Sequence, residues 1–188
     1  TKTEVEQELQ PKEIFYDYKD EQGKLLFQVV RVQFSTDKHI YQRHFNQKGE
    51  WVNNLHGVRR VIYRLPEVLE AVKNGTTVFV VEGEKDVETL FEWGIVATTS
   101  PMGAGKWQDE YSRYLCGADV VIIPDNDDPG RKHAEKVARS LYGIARSVKI
   151  IKLPVWREHE DVTDWKERYG GTKELLMKIV NGTPEYVP

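Results

Sequence analysis

Cysteine is almost missing from this chain: Cys116 stands alone among 188 residues, which excludes an intramolecular disulfide and a cysteine-based zinc site. Long apolar runs are missing too. None approaches the roughly 18 residues of a membrane span, and the N-terminus lacks the basic-then-apolar pattern of a secretory signal. The five histidines have no ligand spacing such as His-x-x-x-His, so a histidine-based zinc site is not expected either. Internal repeats and low-complexity tracts do not occur. Two sequons, Asn74-Gly75-Thr76 and Asn181-Gly182-Thr183, would matter only in a secreted protein. These absences lead to the expectation of a reduced, cytoplasmic compartment and no membrane partner. What remains is 39% hydrophobic and 30% charged, enough apolar material for a core and too much for wholesale disorder.

The net charge of −3 does not announce a nucleic-acid binder, but its distribution is uneven. Residues 31–64 hold Arg31, Lys38, Arg43, Lys48, Arg59, Arg60 and Arg64, with His39, His44 and His56 among them, and their only acids are Asp37 and Glu50. A locally basic half facing a locally acidic site suits a polyanion held beside metal ions. A merely solvated face would carry the same charges.

The pattern along the chain has two characters. After a polar lead-in from Thr1 to Lys12, Ile14 to Trp51 reads as an antiparallel meander. Its strands lie around Phe15–Tyr18, Leu25–Phe34 and His39–Phe45, with turns at Asp20–Gly23 and Asn46–Gly49 before Trp51-Val52. Beyond Gly57 helices and strands alternate. A helix from Pro66 to Lys73 presents Val68, Leu69 and Val72 on one face. Buried strands follow at Thr77–Val81, Ile95–Thr98, Asp119–Ile123 and Ser147–Leu153. Helices lie at Asp86–Trp93, Trp107–Cys116 and Arg131–Tyr142, and at Asp164–Tyr169 and Thr172–Val180. This predicts an α/β fold: a mainly parallel sheet flanked by helices, with a small β-rich N-terminal subdomain over 1–75 and an α/β domain over 76–188.

In open α/β sheets, functional groups collect beyond the carboxyl ends of the strands. Val78-Phe79-Val80-Val81 runs into Glu82-Gly83-Glu84-Lys85-Asp86, and Val120 to Pro124 runs into Asp125-Asn126-Asp127-Asp128-Pro129-Gly130. After Leu153-Pro154 come Asp161 and Asp164. Packing carboxylates together raises their pKa values unless a cation compensates. Magnesium does this, using one or two carboxylates and filling its other sites with water and phosphate. Asp125 and Asp127 at i and i+2 can both turn toward such an ion, and Gly130 lets the chain turn into the next helix. Asp127, Asp128 and Asp164 would serve equally as helix caps.

This ordered pattern of Glu-Gly after one strand, Asp-x-Asp-x-x-Gly after another and a later Asp pair resembles the Toprim domain of topoisomerases, bacterial-type primases and several nucleases. By that resemblance Glu82, Asp125 and Asp127 are the catalytic acids. Asp86 and one of Asp161 and Asp164 join them as ligands of Mg2+ or Mn2+. Here two residues separate the last pair, where primases usually have one. The upstream segments Tyr16-Asp17-Tyr18, Leu26 to Arg31, Trp51 and Gly57 to Pro66 resemble the lead-in of primase-like Toprim proteins of phages and mobile elements. In that group a zinc-binding module precedes the lead-in and a helicase follows the core.

The resemblance implies a primase-like nucleotidyltransferase acting in DNA replication. The Asp125/Asp127 group would bind the ions that clasp an incoming nucleoside triphosphate, and Glu82 would stand near the attacking hydroxyl. Arg59, Arg60, Arg64, Lys106 and Arg131 are candidates for contact with single-stranded DNA template or triphosphate. Gly103-Ala104-Gly105-Lys106 imitates the end of a Walker loop, but Ser100 and Trp107 replace its first glycine and its hydroxyl residue. A glycine loop lining the site is the better reading. The five tryptophans read as core and interface residues, with Trp51 the one placed to stack on a base. A Toprim metal-dependent nuclease and a non-catalytic nucleic-acid-binding module are the alternatives. The basic lead-in favours polymerisation over cleavage, because a polymerase needs a template track beside its metal centre.

Overall fold

Period-two alternation builds the first sheet in the computed structural model, which describes residues 11–34 and 37–188. Strands β1 (Lys12–Lys19), β2 (Leu25–Gln33), β3 (Lys38–Phe45) and β4 (Trp51–Val52) pair in that order, antiparallel throughout. The expected lead-in mostly lies outside the described residues, and its last member, Lys12, already opens β1. Asp20–Gly23 forms the first hairpin turn, with the Asp20 N–H donating to the Lys24 carbonyl at 2.9 Å.

The two faces of this sheet differ. Tyr16, Tyr18, Phe27 and Val29 are buried on one, while Arg31, opposite Ile40 in the register, shares that face nearer its edge. The other face carries Phe15, Gln28, Tyr41 and Arg43.

Helix α1 (Leu65–Lys73) carries Pro66 in its first turn, where a missing N–H costs nothing. It buries Leu65, Val68 and Ala71, so the apolar face is rotated from the expected Val68/Leu69/Val72 stripe, and Leu69 and Val72 are only half-buried. The alternation then runs β5 (Val78–Val80), α2 (Glu84–Glu92), β6 (Ala97–Thr98), α3 (Asp109–Ser112) with a 3-10 turn at Arg113–Leu115, β7 (Asp119–Ile122), α4 (Asp128–Leu141), β8 (Ser147–Ile150), α5 (Val162–Tyr169) and α6 (Lys173–Gly182). The second sheet has the order β6-β5-β7-β8, and every pairing in it is parallel. All three residues of β5 are buried, as a sheet covered on both faces requires.

Several boundaries differ from expectation, with α2 starting at Glu84, α3 at Asp109, β6 at Ala97 and α5 at Val162, and two further shifts have plain local reasons. Helix α4 starts at Asp128, because Asp127 caps it and Pro129 fits its first turn. Strand β8 stops at Ile150, and Tyr186 of the C-terminal tail donates its N–H to the Val148 carbonyl at 2.7 Å, covering the edge. Trp107 and Trp165 are buried as expected, whereas Trp156 is 81% exposed and Trp51 36%. No described helix is long and apolar enough to cross a membrane.

Candidate metal centre

Strand β5 ends at a buried wall, so Glu82, two residues on, is carried to the carboxyl edge of the sheet with only 9% exposure. Its neighbour β7 delivers Asp125 beside it, and the Asp125 N–H donates to Glu82 Oε1 at 3.1 Å. Burial, then the charges of Glu82, Asp86, Asp161 and Asp127, push the Asp125 carboxyl up to about 8. Burial and the Asp127 charge also raise Glu82, against the Asp125 N–H.

Helix α2 begins in the same place and turns Asp86 inward. Thr163 holds one oxygen of Asp86 through its hydroxyl at 2.6 Å and its N–H at 3.3 Å. Burial and Asp161 raise the Asp86 carboxyl, against Lys85 and Thr163. Glu84, buried in the same turn, accepts the Tyr18 hydroxyl at 2.7 Å. Asp161 caps α5 in a reciprocal capping box with Asp164 and pairs with Lys85 at 2.7 Å. Asp161 lines the cleft over these acids; Asp164 lies outside its lining and is 3.4 Å from Arg168.

Asp127 is placed otherwise. Its Oδ1 caps α4 through the Gly130 N–H at 2.6 Å, and its Oδ2 contacts His159 Nδ1 at 2.5 Å. Burial opposes its charge, but the Gly130 N–H and His159 outweigh it and hold the carboxyl below its ordinary value. Asp127 is therefore outside the lining of the cleft that Asp125 enters. Gly130 does not make a turn, since it lies within α4. Its function is space: a Cβ there would stand 2.5 Å from Glu82 Oε1 and 2.6 Å from the Asp125 carbonyl.

The cleft has a volume of about 260 Å3 and lies between the two sheets. Glu82, Glu84, Asp86, Asp125 and Asp161 form one side, with Lys85 among them, and Tyr16, Val29, Arg31, Lys38 and Ile40 form the other. Met102, Gly103 and Ala104 close one end, so the glycine loop lines the site while Lys106 does not. Arg59 pairs with Glu21 at 2.5 Å, and Arg64 pairs with Glu88 and Glu67 while stacking on Phe91 at 3.8 Å. Neither lines the cleft, nor does Arg60. Arg131 pairs with exposed Asp128 and borders a separate cavity of about 300 Å3 behind Asp125. The cations that reach the cleft from the first sheet are Arg31 and Lys38, members of the basic segment that sequence reasoning had not singled out. The signal for Arg31 was its parity with the buried Val29 on β2.

The donor set suits a hard divalent cation. Buried Glu82 and half-buried Asp125 are adjacent and short of compensating charge, and the Asp125 carboxylate receives no hydrogen bond among the described residues. Also among the described residues, no three Asp, Glu, His or Cys side chains converge into a ligand set complete in itself. Magnesium tolerates that, since it fills its remaining octahedral positions with water and phosphate oxygens.

Residues 79–167 match the family described as Toprim-like. The chain is 28% identical over 127 residues to a DNA primase of Aquifex aeolicus, and the match covers 66% of this chain and 24% of that protein. Its structure aligns with the zinc-binding and RNA polymerase domains of the Aquifex aeolicus primase at a TM-score of 0.64 and 21% identity, over 92% of this chain and 40% of that one. The E. coli primase catalytic core aligns at 0.65 and 18% identity, over 92% of this chain and 53% of that one. The likeness to the solved structures is one of fold, and this chain spans only part of the length of each relative.

Proposed function

We propose that this chain, a Toprim-like protein with the fold of primase catalytic cores, is a metal-dependent nucleotidyltransferase that joins nucleotides into short primers on single-stranded DNA. The observation that carries this reading is the opposition across the cleft, with Arg31 and Lys38 of the first sheet facing Glu82, Asp86, Asp125 and Asp161 of the second. A nuclease needs the acids; a polymerase also needs cations placed to hold phosphates against them.

Mg2+ or Mn2+ would be held by Asp125 and Glu82, with Asp86 and Asp161 beside them, and would supply the charge that draws triphosphate oxygens to these acids. The protein's own groups do the rest. Arg31 and Lys38 orient the phosphates. Glu82, adjacent to Asp125 at the sheet edge, would stand near the attacking hydroxyl as a ligand of the ion or as the base that takes its proton. Asp127 holds the α4 terminus and the His159 loop in position, and reaches an ion only by releasing His159. Arg60 and Lys106 are left for template contacts outside the cleft, and Arg59, Arg64 and Arg131 would first have to leave their carboxylates. The division at residue 75, the cytoplasmic compartment and a phage or mobile-element setting belong to the same reading. So do a helicase and a zinc-binding module as partners, because the Aquifex structure comprises zinc-binding and RNA polymerase domains and a similar bacteriophage T7 fragment comes from a primase-helicase.

The test is incubation with single-stranded template, nucleoside triphosphates and Mg2+ or Mn2+. Short labelled products are expected, and Glu82→Gln and Asp125→Asn each abolish them while melting as folded proteins. In chelator, Asp125→Asn melts higher than the parent at neutral pH, because folding the parent raises to about 8 a carboxyl that the unfolded chain leaves ionised, and it loses the rise in midpoint that magnesium gives the parent. Full primer synthesis by either variant overturns the assignment, and template shortening in place of products identifies a nuclease.

A further inference from the structure

The first sheet has a face turned away from the cleft that the proposed reaction leaves unused. Strand β3 places His39, Tyr41, Arg43 and Phe45 on it at successive outward positions, and Trp51 of β4 stands opposite Phe45. A solvated sheet face ordinarily alternates to polar residues. Here Phe15, Phe45 and Trp51 are 45%, 48% and 36% exposed, over a floor of buried Val30 and Val32.

The groups are organised as planes. Phe45 and Trp51 stack at 3.8 Å with 29° between rings, and His39 and Tyr41 stack at 5.8 Å with 29°. The Arg43 guanidinium lies between them, 4.1 Å from the Trp51 ring and 4.7 Å from Phe15. Its orientation is fixed from below by the bond from Arg43 Nε to Gln28 at 2.8 Å, and Gln28 in turn donates to Asp17 at 2.7 Å. The terminal nitrogens of Arg43 make no hydrogen bond among the described residues. The charges on this face are Arg43, with Lys48 in the adjoining turn, against Glu13 at one end and Asp17, which Gln28 occupies, while Lys19, Arg64 and Glu67 border Phe15 and Asp17 in a shallow cavity.

We propose that this face is a stacking platform for single-stranded nucleic acid, distinct from the cleft. Flat rings set along one strand accept successive bases on their π faces, which every base has, and a guanidinium held flat among them meets the backbone phosphates. Four-stranded sheets with exposed rings bind unpaired RNA by the same arrangement. Rings and arginine also serve protein interfaces, and self-association of the chain is the outcome that would mark that use. The inference rests on these contacts and holds whether or not the cleft makes primers.

Fluorescence anisotropy of a labelled oligothymidylate of about 12 nucleotides, in chelator, tests it with the full chain. Binding by the parent needs no divalent ion, because no metal is involved. Trp51→Ala and Tyr41→Ala each weaken binding roughly tenfold, while Trp51→Tyr, which keeps a ring, stays within about twofold. A duplex of the same length binds more weakly than the single strand, since its bases are unavailable. Parental affinity in a Trp51→Ala/Phe45→Ala double variant overturns the proposal. So does absence of binding by the parent, or self-association of the parent that Trp51→Ala disperses without a change in oligonucleotide affinity. Intact binding with no primer synthesis would refute the reaction and leave the platform standing.

Discussion

Gly130 shows at the scale of one residue how tightly the acidic site is built. Its N–H donates to the capping Asp127 side chain, and its missing Cβ makes room for Glu82 Oε1 and the Asp125 carbonyl. The Glu82 side chain can move, but the Asp125 backbone cannot move cheaply. Gly130→Ala is therefore expected to cost roughly 1–3 kcal/mol in denaturant unfolding and to weaken the magnesium response, because Glu82 is pushed off Asp125. A second residue, His133, ties α4 to the glycine loop: its Nδ1 accepts the Gly105 N–H at 2.9 Å. Burial, with help from Lys136, pushes the imidazole down to about 4. Between pH 6.5 and about 4 the unfolded chain binds a proton that the folded imidazole refuses, so stability falls as pH falls through that window. The loss is at most roughly 1.4 kcal/mol per pH unit. His133→Asn keeps an acceptor without the titration. Melting both proteins from pH 7 to 4.5 should show a loss in the parent that the variant lacks, and the acidic cluster cancels in that difference.

At the scale of elements, the terminus of α5 separates two uses of one carboxylate. Asp161 accepts the Asp164 N–H at 2.8 Å as a helix cap and pairs with Lys85 at the cleft. Asp161→Ala removes both and should destabilise by about 1 kcal/mol, the usual worth of a cap. Asp161→Asn keeps the cap and should retain nearly full stability, since a partly exposed pair with Lys85 adds little. Both variants should lose primer synthesis if the negative charge at the cleft is what matters. Equal activity of Asp161→Asn and the parent would reduce Asp161 to a cap. Sequence reading offered Asp164 as the cap, whereas Asp161 caps α5 and Asp164 returns the bond from N3; which of the two turns toward the cleft was not legible, because they lie at the same helix start.

At the scale of the molecule, the cleft exists only because the first sheet and the segment that follows it are joined to the α/β half. The buried Tyr18 hydroxyl donates to Glu84 at 2.7 Å, Thr98 donates to the Tyr63 carbonyl at 2.7 Å, and one apolar cluster runs from Tyr16 and Val29 through Val61 and Ile62 to Val80 and Val121. The chain should accordingly unfold in one transition seen alike by fluorescence and circular dichroism. Tyr18→Phe leaves Glu84 buried without its donor and should lower that single midpoint by about 1–3 kcal/mol. Two resolved transitions in the parent would show the halves to be independent.

The sequence by itself determined the elements and the acids at their ends. A run such as Val78–Val81 can only be a strand buried on both faces, and the residue that follows must leave the sheet at its carboxyl edge, where Glu82 and Asp125 were placed from spacing alone. Alternation along Leu25–Gln33 was equally local. Only the tertiary structure decided which charges meet across the cleft and which acids face it. Arg31 and Lys38 oppose the acids because the first sheet packs its Tyr16/Val29 face on the second, while Arg59 and Arg64, just as basic in sequence, are taken by Glu21 and Glu88. Asp127 lies two residues from Asp125, yet the α4 terminus and His159 claim its oxygens. Partners so far apart along the chain leave no periodic trace in it, since what joins them is the docking of faces and not the repeat of any one element.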